Sequence, residues 1–249
     1  MAYALEFLEI QRSTLTREWI KTVNKDNYHH PPLTLEVKGP YACFTRPELK
    51  SERVSYPVMT PSAARGILEA IYWKPEFDYV VTAIEVLEPV RWASIRRNEV
   101  TSMTSLDWVR KAMADATVRF DVEGDRDQRN TVFLRDVAYR IRAQVRPRPH
   151  SGSPEATYRE QFRRRVDRGA CFSQPFLGTR ECSASFSGDT NQSPVPVTED
   201  LGVMLHSIGY GPAGETYTWF DARVENGVLQ VPESGLQLAA AAAQPRRGA

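Results

Sequence analysis

The sequence predicts an α+β fold in which short strands outnumber helices, and three observations carry that expectation. TPSAARGILEAIYWKP, at 60–75, has the cap and the apolar spacing of an amphipathic helix. Runs that alternate apolar and polar residues stand on either side of it, at 33–37 and 137–145. Near the end of the chain, Asn226-Gly227 lies between two alternating runs and marks a tight hairpin.

Residues 1–32 form an N-terminal extension whose order the sequence does not decide. Its apolar positions (Leu5, Leu8, Leu15, Trp19, Ile20, Val23) suit a helix that Pro31-Pro32 closes off. The core domain is expected over 33–231. It opens with a strand carrying Leu33, Leu35 and Val37 on one face up to the turn at Gly39-Pro40. In the helix that follows, Thr60 caps, Pro61 takes the first position, and Ala64, Ile67, Leu68 and Ile71 form the stripe. Lys74-Pro75 ends it, and DYVVTAIEVLEPV reads as a buried strand. Residues 91–130 are polar and weakly periodic, as in a long hairpin or flexible insertion. RDVAYRIRAQV then alternates, with Val137, Tyr139, Ile141, Ala143 and Val145 inward and Arg140 and Arg142 outward, a basic-faced strand. RPRPHSGSP links it to a helix with Tyr158, Phe162 and Val166 in register, ending at Gly169. Closing strands are expected over 200–231, and 232–249 reads as a disordered tail. Strand, helix, strand, then strand, helix, strands is the order of a ferredoxin-like unit with extra β elements, though other α+β folds share it.

At 249 residues the chain suits one large domain. Cys43, Cys171 and Cys182 are widely spaced, without a zinc-finger pattern, so no structural metal is expected. No stretch approaches the length of a membrane span and no secretory signal is evident, which suggests a cytoplasmic protein with reduced thiols. Nucleotide-binding glycine loops and paired catalytic carboxylates are absent, and no cofactor is expected. The net charge is only +1, but ten arginines stand against four acidic residues between Arg135 and Arg168. Such a block suits phosphate contact, or else a solvated helix face and a basic loop.

Three ordered segments carry a resemblance. GPYACFTRPELKSERVSYPVMTPSAARGILEAIYWKP (39–75), RRNEV (96–100) and FRRRVDRGACFSQPFLGTRECSASF (162–186) are similar in order and spacing to the type I-C family of CRISPR-associated Cas-five proteins. The resemblance implies a ferredoxin-like domain (RRM-like, of the RAMP superfamily) with an inserted β-hairpin and an additional β-rich C-terminal part. It also implies binding of the crRNA 5′ handle, partnership with the backbone and large subunits of a Cascade complex, and metal-independent cleavage of precursor CRISPR RNA. The alternative is a non-catalytic handle-binding subunit.

The family's cleavage site pairs a Tyr at the end of the first helix with a Lys-His at the start of the later basic helix. Tyr72 matches the first, about 80° round the helix from Ala64, where it is either catalytic or a half-buried aromatic. Thr157 and Tyr158 stand where the Lys-His pair belongs, so Tyr158 is a candidate of altered chemistry. His150, in the basic loop just upstream, can occupy the same volume or be a solvated histidine. RNA contact is expected of Arg46, Arg65, Lys74, Arg135, Arg140, Arg142, Arg163, Arg164, Arg168 and Arg180. Gly178 in PFLGTRE allows either close backbone approach to RNA or a plain turn. Tyr41, Phe44 and Trp73 can stack on bases or serve the core, and His206 reads as a sheet residue.

Overall fold

In the computed structural model, which describes residues 28, 30–49, 52–212 and 214–237, strand β1 (Leu33–Ala42) lies beside β4 (Arg126–Pro147), although α1 (Pro61–Ile71) joins β1 to β2 (Phe77–Val86) in sequence. β1 and β2 both run antiparallel to β4, with Leu35 and Ile84 flanking the same Ile141. They are therefore parallel to each other, and α1 is their crossover. A second helix, α3 (Glu155–Asp167), leads from β4 to the short β5 (Ser185–Ser187), on the far side of β1. The resulting order β5-β1-β4-β2 is that of the ferredoxin-like unit. Past β2 the sheet continues through β8 (Val228–Gln230) and β7 (Gly214–Glu225) to β6 (Glu199–Gly211). Asn226 and Gly227 both have positive φ at the β7–β8 turn, as a two-residue hairpin of that sequence requires.

β4 is long because it serves two partners. Its first half pairs with β3 (Trp92–Val100), from Trp92 opposite Leu134 to Val100 opposite Arg126, and its second half fills the gap between β1 and β2. Asp136 sits at φ 51° where the β1 ladder passes from Gly39–Val137 to Tyr41–Arg135. The segment expected to be a hairpin or flexible insertion is thus a hairpin, and it carries a helix, α2 (Leu106–Ala114), none of whose side chains is buried.

α1 forms where the sequence places it. Thr60 Oγ1 accepts a hydrogen bond from Ala63 N at 3.3 Å, Pro61 occupies the first turn, and Ala64, Ile67, Leu68 and Ile71 are buried. Thr60→Ala is expected to lower stability by about 1 kcal/mol in urea unfolding, with the slope of the transition unchanged. The core joins this stripe to Leu33, Leu35 and Val37 of β1, to Tyr139, Ile141 and Ala143 of β4, and to Tyr158 and Phe162 of α3.

The opposite face of the sheet corrects one expectation. Arg140, read as an outward phosphate contact, is only 4 % exposed. It bridges Glu36 on β1 (2.6 Å) and Glu85 on β2 (2.6 Å), and its Nη2 also donates to Gln192 O at 2.8 Å. Alternation places it on the polar face, and the 189–192 segment then closes over that face. Of the expected tail, Leu236 exchanges two backbone hydrogen bonds with Trp219, each 2.8 Å. Residues 238–249, and the helix expected within 1–32, lie outside the described residues. No helix among the described residues is long and apolar enough to cross a membrane.

Candidate functional site

The chain turns sharply where α1 ends, and the turn gathers polar side chains. Tyr72 is the C-cap, with extended backbone, so the helix stops there. The carbonyls left open at the helix end are satisfied from the segment behind α3 and from α3 itself. Phe172 N and Ser173 N donate to Ala70 O at 2.8 and 3.1 Å, and Arg165 Nη1 donates to Ile71 O at 2.9 Å. Arg165 is thereby fixed with its guanidinium 5.2 Å from the Tyr72 ring centroid, while Phe77 packs against the same ring at 5.6 Å. Tyr72 is 6 % exposed. Burial pushes its phenol above the ordinary value, and Tyr158 and Glu76 push the same way while Lys74 and Arg165 oppose. The hydroxyl therefore stays protonated at neutral pH, as a proton donor must.

Tyr158, in the first turns of α3, is 1 % exposed. Its hydroxyl donates to Glu76 Oε2 at 2.7 Å and lies 2.8 Å from Ser151 Oγ. Lys74 Nζ approaches the same carboxylate oxygen at 3.8 Å. His150 is exposed above this chain, with Nε2 3.0 Å from Pro75 O. A carbonyl only accepts, so Nε2 is the donor in this contact and Nδ1 is the ring nitrogen left for a substrate. The structure thus brings Tyr72, Lys74, His150 and Tyr158 around one turn. Tyr158, the candidate of altered chemistry, has a buried ring and donates its hydroxyl proton to Glu76, a geometry that anchors the carboxylate. Thr157 is exposed beside it.

Sequence reasoning missed Glu76 and Ser151 and did not single out Arg165. Glu76 follows Lys74-Pro75 in a turn, where a glutamate reads as solvated. The available signal was Tyr158 itself, because a buried tyrosine hydroxyl needs a partner.

The expected RNA-binding residues fall in separate places. Arg163 and Arg164 are exposed on α3 and Arg168 is exposed at its C-cap, with Arg163 paired to Glu160 at 2.6 Å. Arg65 is on α1, paired with Glu69 at 3.1 Å. Arg142 shares Glu85 with Arg140, and Arg135 lies 3.9 Å from Asp136. Arg46 covers the Tyr56 ring at 4.5 Å. Arg180 is exposed in the loop after Gly178. Phe44 packs in the core, 5.9 Å from the Tyr139 ring, whereas Tyr41 and Trp73 are exposed. Gly178 has φ +89°, and the close approach it allows is to the chain's own backbone: a Cβ would sit 2.0 Å from Cys43 O. Cys43 N to Leu177 O at 3.0 Å locks the contact. Gly178→Ala is expected to cost more than about 1 kcal/mol by strain and displacement of Cys43, a fall in Tm that thermal unfolding would register.

Comparison with known proteins converges on one family. The model of a CRISPR-associated protein family, Cas5 in its Cas5d form, matches residues 32–232. A protein of Mannheimia succiniciproducens named CRISPR pre-crRNA endoribonuclease Cas5d is 45% identical over 216 residues, covering 80% of this chain and 94% of the relative. A protein of the same name from Thermus thermophilus is 41% identical over 224 residues, covering 82% and 93%. A crystal structure described as a CRISPR-associated protein superposes with a TM-score of 0.59 at 26% identity, covering 82% of this chain and 92% of that one. With a family match that spans the whole ferredoxin-like unit and its β-rich extension, the chain belongs to the Cas5 family of CRISPR-associated proteins.

Proposed function

We propose that this protein binds the repeat-derived 5′ handle of crRNA within a type I-C surveillance complex in the cytoplasm, beside the backbone and large subunits, and cuts precursor crRNA without a metal. The observation that carries the reading is the grouping of Tyr72, Lys74 and His150 at the end of α1, flanked by the arginines of α3. Two pre-crRNA endoribonucleases at 45% and 41% identity supply the substrate class.

The chemistry needs three functions. A base takes the proton from the ribose 2′-hydroxyl, whose oxygen attacks the adjacent phosphorus. The P–O5′ bond breaks, and the leaving oxygen takes a proton from an acid, giving a 2′,3′-cyclic phosphate and a 5′-hydroxyl. Cations stabilise the charge that builds on the phosphate oxygens. His150 Nδ1 suits the base, Tyr72 the acid, and Lys74 with Arg165 the cations. Tyr158 holds Glu76, and Glu76 orients Lys74.

Purified protein with its cognate repeat RNA in EDTA is expected to give a single cut, and a 2′-deoxy substitution at that nucleotide should abolish it. A second reading, a handle-binding subunit without cleavage, draws on Thr157 and Tyr158 standing in place of Lys and His. Its signature is shifted but uncut RNA in the same assay.

A further inference from the structure

A second concave site lies at the base of the β3–β4 hairpin, on the face carrying Ile95, Arg97 and Phe133. Its cavity is about 320 Å³, at the small end of ligand pockets. Tyr41, Ile95 and Phe133 make the apolar walls, and Arg53, Arg97 and Glu181 make the rim. Tyr41 and Ile95 are each 49 % exposed, a considerable area of apolar surface to leave facing water. Tyr41 is steadied by an edge-to-face contact with Phe133 at 5.1 Å. Cys43 and Cys182 also line the cavity, and burial raises both thiols, so they add no charge.

The rim arginines are held differently. Arg97 Nη1 donates to Glu181 at 2.7 Å and Nη2 to Glu99 at 2.9 Å, whereas its buried Nε has no hydrogen-bond partner among the described residues. The two ion pairs hold the guanidinium in place, and the face of such a plane stacks on planar rings. Arg53 is bound loosely, 3.5 Å from Glu181 and 3.9 Å from Glu99, and can turn its donors to a phosphate. An aromatic and aliphatic slot, a stacking cation and a phosphate-reaching cation side by side match a nucleotide better than they match an apolar side chain.

We propose that this pocket receives one unpaired nucleobase of the bound RNA, stacked against Tyr41 and Arg97, with Arg53 on the adjoining phosphate. The proposal rests on the handle-binding reading and adds a base-specific contact to it, remote in sequence from the residues assigned to cleavage.

The test is an abasic scan of the cognate 5′-handle RNA, replacing one base at a time and measuring Kd against the intact oligonucleotide. Wild-type protein is expected to lose about tenfold or more in affinity at one position. Tyr41→Ala should weaken intact RNA by a similar factor and bind the RNA abasic at that position no more weakly than wild type does. Ile95→Ser, at an exposed strand position, should repeat the pattern if Tyr41→Ala misfolds. Identical abasic profiles for wild type and both variants would overturn the pocket assignment while leaving handle binding in place. Variants that bind RNA normally but lose association with another Cascade subunit would overturn it too, making the pocket a socket for protein. Failure of wild-type protein to bind the handle RNA would remove the underlying reading as well.

Discussion

Arg140→Leu is expected to destabilise the protein by about 3–5 kcal/mol, the range for removing one partner from a buried ion pair. The size follows from what the substitution leaves behind. Glu36 is fully buried and Glu85 nearly so, and Arg140 stands between them. Glu36 keeps Thr190, whose N and Oγ1 donate at 3.0 and 2.7 Å, but it loses the cation 2.6 Å away. Glu85 keeps Arg142, which is partly exposed. The loss also depends on pH. Burial alone would raise the Glu36 carboxyl, yet the hydrogen bonds from Thr190 and Arg140 and the Arg140 charge outweigh it and hold the group below its ordinary range. A depressed folded value contributes stability that is present above the unfolded value, about 4.3, and is lost as pH falls through the folded one. Without Arg140 the carboxyl accepts a proton more readily. The stability gap between wild type and Arg140→Leu in urea unfolding should therefore narrow on acidification from pH 7 to about pH 4. An equal gap at both pH values would mean that the guanidinium contributes through packing alone.

The same residue marks a limit on what the sequence reveals. Alternation along β4 separates Arg140 from Tyr139 and Ile141 correctly, because a pleated strand has a period of two. It cannot tell which polar residues meet Arg140 across the sheet. Glu36 is 104 positions away and Glu85 is 55, and only the β1-β4-β2 order sets the three side by side. Local signals were legible for the same reason. Thr60-Pro61, the Ala64–Ile71 stripe, Asn226-Gly227 and the stop at Gly169 all act within a few residues of themselves. α2 escaped notice because an unburied helix needs no apolar stripe. In the candidate site, Tyr72 and Tyr158 were found through the family resemblance. Glu76 was not, since its partner Tyr158 is 82 positions away and the contact exists only once α3 packs on β2.

Tyr72→Phe is expected to slow single-turnover repeat cleavage by about 10²–10⁴-fold, the range for removing a general acid or base. Handle affinity should change little, because the ring keeps its place between Phe77 and Arg165 and only the hydroxyl is lost. Burial holds the Tyr72 phenol above its ordinary value, so it stays in the proton-donating form throughout the neutral range. Activity dependent on it falls only as pH rises through that elevated value. Wild-type protein should therefore show no alkaline loss from this group up to about pH 9, a unit below the ordinary tyrosine value. Tyr158→Phe tests a different function, since it frees Glu76 from the 2.7 Å hydrogen bond and lets the carboxylate close on Lys74. A smaller loss is expected there, with Lys74→Gln reducing the rate and cancelling the further effect of Tyr158→Phe, because both changes act through one ion pair. Wild-type cleavage by Tyr72→Phe would remove the tyrosine from the chemistry, and additive losses for the other pair would remove Glu76 as the link between Tyr158 and Lys74.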